Sequence, residues 1–167
     1  MRLDTRFPDA KAQGMFFDTH THLGSKQFDG DLPAVLERAR AAGVTRMVAP
    51  ATDLENARKL LTIAEHEPDV RVAVGIHPCD ADSVSGDAWI SELRELARHP
   101  KVCAIGEIGL DYHYHADQAD VQKQVFIEFV RAARRVGRGI AIHTRDAHAD
   151  TFAILRDEAK DMPILIH

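Results

Sequence analysis

Cysteine is scarce in this 167-residue chain: Cys79 and Cys103 are the two, and they form no C-x-x-C pair. A disulfide framework is therefore excluded, and both cysteines, set in apolar stretches, read as reduced, half-buried residues of a cytoplasmic protein. Long apolar runs are missing too. No stretch approaches the roughly 18 apolar residues of a membrane span, and the polar opening MRLDTRFPDAKAQG has no apolar h-region. A cationic surplus is the third absence. With 21 Lys and Arg against 26 Asp and Glu, the formal charge is -5. A broad grip on duplex phosphates is thereby excluded, and a phosphate ligand needs another source of positive charge, a bound divalent metal being the natural one. Low-complexity linkers are absent as well. One domain over residues 15–167 is expected, with residues 1–14 as a separate N-terminal extension.

What is present, with 45% hydrophobic and 28% charged residues, is a regular alternation of β-type apolar runs and amphipathic segments. The first run, Met15 to Thr19, precedes a helix with Asp31 as N-cap, Pro33 in its first turn, apolar Val35, Leu36, Ala39 and Ala42, and Gly43 as stop. The strand Val44–Ala49 leads to Thr52, which with Glu55 makes a capping box for a helix carrying Ala57, Leu60, Leu61 and Ala64 before Pro68 ends it. The unit repeats: strand 70–76 and helix 88–98, strand 102–108 and helix 121–136, strand 139–143 and helix 147–159, then a strand opening at Ile164. Strand starts near residues 16, 45, 71, 102, 139 and 163 have the rhythm of successive βα units on a parallel sheet.

The chemistry-bearing residues fall at the ends of these strands. In FDTHTHL, His20 and His22 lie two apart at the end of the first strand, where alternation sends both imidazoles to one side as a metal pincer. An isolated H-x-H is as readily a pair of incidental polar residues. Glu107 interrupts the apolar run VCAIGEIGLD, where a buried carboxylate is costly unless paired or metal-bound; a structural salt bridge is the alternative. His143 ends GIAIH and His167 ends ILIH. Each alone reads as a satisfied core histidine. Together the five form a series at the C-terminal strand ends, the face on which barrel active sites sit. Imidazole nitrogen and carboxylate oxygen suit Zn, Mn or other first-row ions, with Mg admitted if water and carboxylate dominate the shell. A bridging carboxylate points to two ions, which would bind a phosphoryl oxygen and deprotonate a water near neutral pH.

FDTHTHL, VGIHP at 74–78, AIGEIGLDYH at 104–113, QKQVF at 122–126, AIHTRDAHADT at 141–151 and the closing ILIH occur in order from about Met15 to His167. In these motifs the chain resembles the TatD family of metal-dependent deoxyribonucleases, within the amidohydrolase superfamily. The resemblance implies an α/β fold of the TIM-barrel (β/α)8 type with a dinuclear centre that cleaves phosphodiester bonds of DNA, commonly as an exonuclease, through metal-activated water. It makes His20, His22, Glu107, His143 and His167 the metal ligands, with Glu107 as the bridge, a position where relatives such as dihydroorotase use a carboxylated lysine.

Neighbouring residues carry weaker expectations. His77, in GIHP, faces the site as a catalytic or substrate-contacting group or is a packed histidine; Arg145 forks onto a phosphate or pairs with Asp146 or Asp150. Asp111 and Tyr112 lie in a loop and shape the substrate mouth, whereas His113, His115 and His148 are solvated. Cys79 has no adjacent base and is no nucleophile.

Length is the departure. A complete barrel takes about 250 residues, so these 167 hold only about the first five and a half βα units, and the aspartate that the family places in its strand-eight region has no counterpart. A fragment, a truncated product or completion by another chain each explain that, and open sheet edges would make the lone chain aggregation-prone and weakly active. Two alternatives to a DNase stand beside it: hydrolysis of another phosphoester or an aminoacyl-tRNA ester, and an inactive remnant that binds metal or a partner.

Overall fold

The computed structural model describes residues 15–84, 86 and 88–167; the proposed extension over 1–14 lies outside the described residues. Short runs of β-branched and apolar residues alternate with helical segments, so each strand is returned to the start of the next by a helix. The strands are β1 (Phe16–Asp18), β2 (Val44–Pro50), β3 (Val70–Val74), β4 (Val102–Asp111), β5 (Gly139–Arg145) and β6 (Ile164–Ile166). They pair in parallel, in the order β1-β2-β3-β4-β5-β6, and curl into part of a barrel. The helices are α1 (Leu32–Ala41), α2 (Leu54–His66), α3 (Ala88–Leu96), α4 (Tyr112–His115), α5 (Ala119–Val136) and α6 (His148–Glu158). Among the described residues, no helix is long and apolar enough to cross a membrane.

The two faces of the sheet are filled differently, as period-2 alternation requires. Met47 and Ala49 of β2, Val72 and Val74 of β3, and Ile140 and Ile142 of β5 pack in one cluster with helix residues such as Leu60, Phe126 and Phe129. The intervening Val48, Ala73 and Ala141 form a second cluster with Ala104 and Leu165 on the concave side. The fully buried Phe126 and Phe129 of α5 each contribute about 1.5–3 kcal/mol by burial. Only one neighbouring strand flanks β1 and β6 among the described residues, and Met15, Phe16, Phe17, Ile164 and Ile166 of that region are exposed.

Several local expectations are corrected. The cap of α2 is Asp53, whose carboxylate accepts from Asn56 N at 2.7 Å, and Thr52 does not make the capping box. Asp31 stands at the N-cap of α1 as expected, though without a side-chain cap bond. Cys103 is exposed, not half-buried, with its thiol toward the Val72 carbonyl. The strand β4 continues three residues beyond Ile108, because Gly109, Leu110 and Asp111 pair with His143, Thr144 and Arg145. Between Ile105 and Ile108 the register slips, three steps on β4 matching the two from Ile140 to Ile142. This bulge re-phases the strand, so that Ile108 and Leu110 join the helix-facing core while Glu107 turns to the histidines. Gly109 is required beside it: its φ is +138°, and a Cβ would stand 2.0 Å from the His143 carbonyl oxygen.

Candidate metal centre

Every expected ligand comes to the C-terminal end of the sheet, though not always by the expected route. The strand β1 stops at Asp18, so His20 and His22 lie in the turn that follows it, not on the strand. Their convergence depends on a backbone anchor, Thr21 N donating to Val48 O at 3.0 Å, and on His20 N donating to the Asp18 carboxylate at 3.1 Å. His77 likewise lies beyond β3, held by its own N–H on Thr52 O at 2.8 Å. His143 is inside β5, and His167 follows β6, with its N–H on Ile142 O at 3.0 Å.

Glu107 is the hub, at 1% exposure. Its Oε1 lies 2.6 Å from His167 Nε2, 3.1 Å from His143 Nδ1 and 3.7 Å from His77 Nε2. Its Oε2 lies 3.3 Å from His20 Nε2 and 3.6 Å from His22 Nε2. Neither contact of Oε2 has hydrogen-bond geometry, which leaves that buried oxygen without a partner. His20 and His22 also bring their Nε2 atoms to 3.3 Å from each other. Two groups of three ligand atoms result, His20 with His22 and Glu107, and His77 with Glu107 and His143, each within 4.8 Å. A partnerless buried carboxylate oxygen facing two converging imidazole nitrogens fits a divalent cation. The donor set fits the expected metal.

Electrostatics follow from this packing. Burial works against ionisation of Glu107, but contacts from His143, His20 and His167 outweigh it and hold the carboxyl well below the usual range. Burial lowers the pKa of His22 and of His77, with Glu107 opposing in each case. Burial also disfavours the charged form of His143, but hydrogen bonds to Glu107 and Asp111 override it and raise its pKa. A cavity of about 880 Å³ opens over the centre, lined by His20, His22, His77, His143 and His167 together with Thr52, Asn56 and Asp80.

The residue that sequence reasoning misplaced is Asp111. It is not a loop residue at the mouth: it ends β4, is 1% exposed, and its Oδ2 meets His143 Nε2 at 2.9 Å. Its Oδ1 accepts from His113 N and Tyr114 N at 3.0 Å each, capping α4. Burial would raise its pKa, yet these donors lower it. Fully buried Gln122 holds the same point. Asp111 N donates to Gln122 Oε1 at 2.7 Å, and Gln122 Nε2 donates to the carbonyls of Asp111 and His115. The signal was present in the sequence, since 107, 109 and 111 alternate on one strand face.

Arg145 is placed elsewhere. It is exposed, its guanidinium lies 4.8 Å over the Tyr114 ring and donates to the Tyr114 hydroxyl at 3.2 Å, and it does not line the cavity over Glu107. It pairs with neither Asp146 nor Asp150, whose partners are His113 for the first and Tyr112 and Lys123 for the second. His113 and His148 are exposed and His115 half-buried, none of them within the ligand groups. The half-buried Cys79 thiol is pushed up to about 11 by burial and by Asp111, which leaves it protonated near neutral pH.

Comparison with known proteins matches this geometry to one family. Residues 17–167 match the family described as TatD related DNase. An uncharacterized metal-dependent hydrolase YabD of Bacillus subtilis is 41% identical over 149 residues, 88% of this chain and 57% of that protein. A 3'-5' ssDNA/RNA exonuclease TatD of Musicola paradisiaca is 36% identical over 151 residues, 90% of this chain and 57% of that protein. The crystal structure of YjjV, a TatD homologue from Escherichia coli K12, superposes with a TM-score of 0.80 at 34% identity, covering 86% of this chain and 56% of that one. The chain thus spans somewhat more than half the length of the relatives it matches. Motifs, parallel βα topology and family match together place this chain in the TatD-related DNase family.

Proposed function

We propose that this chain carries the main part of the metal centre of a hydrolase that cleaves phosphodiester bonds at the ends of DNA. The observation that carries the reading is the buried carboxylate of Glu107 with imidazoles grouped on both of its oxygens and one oxygen left without a hydrogen-bond partner. Relatives named as single-strand exonucleases support the choice of a nucleic-acid substrate. In this reading His20 and His22 with Glu107 hold one divalent ion, Mg, Mn or Zn, and Glu107 with His143 and His167 holds the second. When bound, such ions polarise a phosphoryl oxygen and acidify a water molecule.

The chain's own residues supply position and charge. Glu107, ionised and buried, brings the two histidine groups to a common point and offsets cationic charge there. His77, whose Nδ1 accepts from Cys79 N at 3.2 Å, carries its proton on Nε2 and directs it into the cavity, where it can donate to a phosphoryl oxygen. Asp111 fixes the ring of His143 from behind. Arg145, stacked on Tyr114 at the rim, contacts the substrate backbone beyond the scissile bond.

The deciding experiment compares metal-dependent hydrolysis of a 3′-labelled oligonucleotide, a generic aryl phosphodiester and an aminoacyl ester, with and without chelator. Oligonucleotide cleavage that is lost in Glu107→Ala and His143→Ala is the expected result. Cleavage confined to the aminoacyl ester, or metal binding with no hydrolysis of any substrate, overturns the reading.

A further inference from the structure

At the opposite end of the sheet lies a cleft of about 560 Å³ whose lining is Arg94, Ala97, Arg98, Arg135, Val136 and Arg138. Arg94 belongs to the end of α3 and Arg98 lies just past it, and Arg135 and Arg138 belong to the end of α5 and the turn into β5. These positions lead into the N-terminal ends of β4 and β5, whereas Glu107 and Asp111 lie toward the other end of β4. Five to six residues of strand separate the two regions, on the order of 20 Å.

Among the described residues no carboxylate lines the cleft, although the chain as a whole carries -5. The Nε atoms of Arg94 and Arg138 are buried and have no hydrogen-bond partner. The one strong partner nearby, among the described residues, is Glu95, 2.8 Å from Arg98, in a pair of which both side chains are largely exposed, and such pairs hold weakly. Arg138 reaches, among the described residues, only the Ala97 carbonyl, at 3.5 Å. Helix ends do not account for the accumulation. Two helix C-termini present about half a negative charge each, so with Glu95 they offset about two of the four guanidinium charges.

From this geometry we infer a second anion site, distinct from the metal centre, that binds a phosphate-bearing ligand through the forked guanidinium groups of Arg94, Arg98, Arg135 and Arg138. Guanidinium is suited to phosphate because its planar donors match two phosphoryl oxygens at once. The two helices that form the cleft pack on each other, and α5 packs on β4, within the described residues, so the site does not depend on further barrel units.

The test uses the 167-residue chain in the presence of EDTA, which removes metal-dependent binding at the other face. Titration calorimetry with inorganic pyrophosphate and fluorescence anisotropy with a labelled single-stranded oligonucleotide distinguish a small phosphorylated ligand from a nucleic-acid backbone. The expected result is saturable binding of at least one probe, weakened about tenfold or more in Arg94→Gln/Arg135→Gln and by added salt, and largely retained in Arg94→Lys/Arg135→Lys. Arg156→Gln, an exposed arginine on α6 outside the cleft, serves as the control for net charge. Binding of neither probe, or equal weakening in the Arg156 variant, overturns the inference. If the glutamine pair fails to fold, as circular dichroism would show, the wild-type titration and the lysine pair still decide the matter.

Discussion

Replacing Asp111 by asparagine isolates the part of the metal centre that lies behind the ligands. In the wild type Asp111 Oδ2 is 2.9 Å from His143 Nε2, and only a proton on Nε2 makes that contact favourable. The opposite nitrogen, Nδ1, then offers its lone pair toward Glu107, 3.1 Å away, where the second ion is proposed to sit. In Asp111→Asn the retained oxygen still accepts from His113 N and Tyr114 N, so the cap of α4 survives. The amide that replaces Oδ2 is a donor, and it demands a lone pair on Nε2. The neutral ring then carries its proton on Nδ1, donating to Glu107 and no longer able to ligate. Loss of such an outer-shell partner costs 10–100-fold in metal affinity, or about 1.4–2.7 kcal/mol. The fold should be nearly undisturbed. Asp111→Ala differs, because it also leaves two backbone N–H groups without the cap, for a loss of about 0.5–2 kcal/mol. Competition of a chelating indicator for Zn or Mn measures the first effect, and thermal unfolding followed by circular dichroism measures the second. A Asp111→Asn variant that binds metal within twofold of wild type would refute the proposed control of the His143 tautomer.

The remaining expectations follow from the same packing. Because hydrogen bonds to Glu107 and Asp111 raise the pKa of His143 above its ordinary value, a proton competes with metal there to higher pH than at an ordinary histidine. Metal affinity should therefore climb as pH rises through the raised value, with protons released on binding, and calorimetry in buffers of different ionisation enthalpy that finds no proton release between pH 6 and 8 contradicts it. In the metal-free chain the depressed carboxyls of Glu107 and Asp111 contribute stability that is present above their unfolded values near 4 and lost as pH falls through the lower folded values. Urea unfolding at stepped pH should show that loss diminish in Asp111→Asn. Gln122→Leu strips partners from Asp111 N and from two carbonyls, for about 2–5 kcal/mol and a fall in Tm of roughly 5–15 °C; a Tm within 2 °C of wild type sinks the assigned role. Gly109→Ala places a Cβ 2.0 Å from the His143 carbonyl oxygen, so it should abolish soluble folded protein, and normal yield with normal metal binding would count against the close approach.

Sequence reasoning reached the βα alternation, the parallel sheet and the clustering of His20, His22, Glu107, His143 and His167. Each of those is local information: apolar runs of strand length, polar residues that break them at one end, and helix spacing between. The failures are local as well, but of another kind. Thr52 and Asp53 are both capable caps, and only the path of the chain out of β2 decides that Asp53 meets Asn56 N. The end of β4 could not be read from propensity, because Gly109 and Asp111 are poor strand formers; pairing with β5 overrides that preference.

Arg145 and Asp111 mark the division most clearly. Two residues past a ligand, Arg145 has a sequence position that suits phosphate at the reaction centre, yet the turn after β5 carries it over Tyr114 at the rim. Asp111, four residues past Glu107, has the period that puts it on the ligand face, but its role depends on the β5 register that sets His143 beside it. The sequence by itself determined which side chains could hold metal, since burying a lone carboxylate among apolar neighbours demands compensation and histidines at strand ends can supply it. Only the tertiary structure decided that both oxygens of Glu107 are shared among the imidazoles and that Asp111 stands behind one of them. Angles and distances between strands are set by bulge, register and packing, and these are properties of residues far apart in the chain.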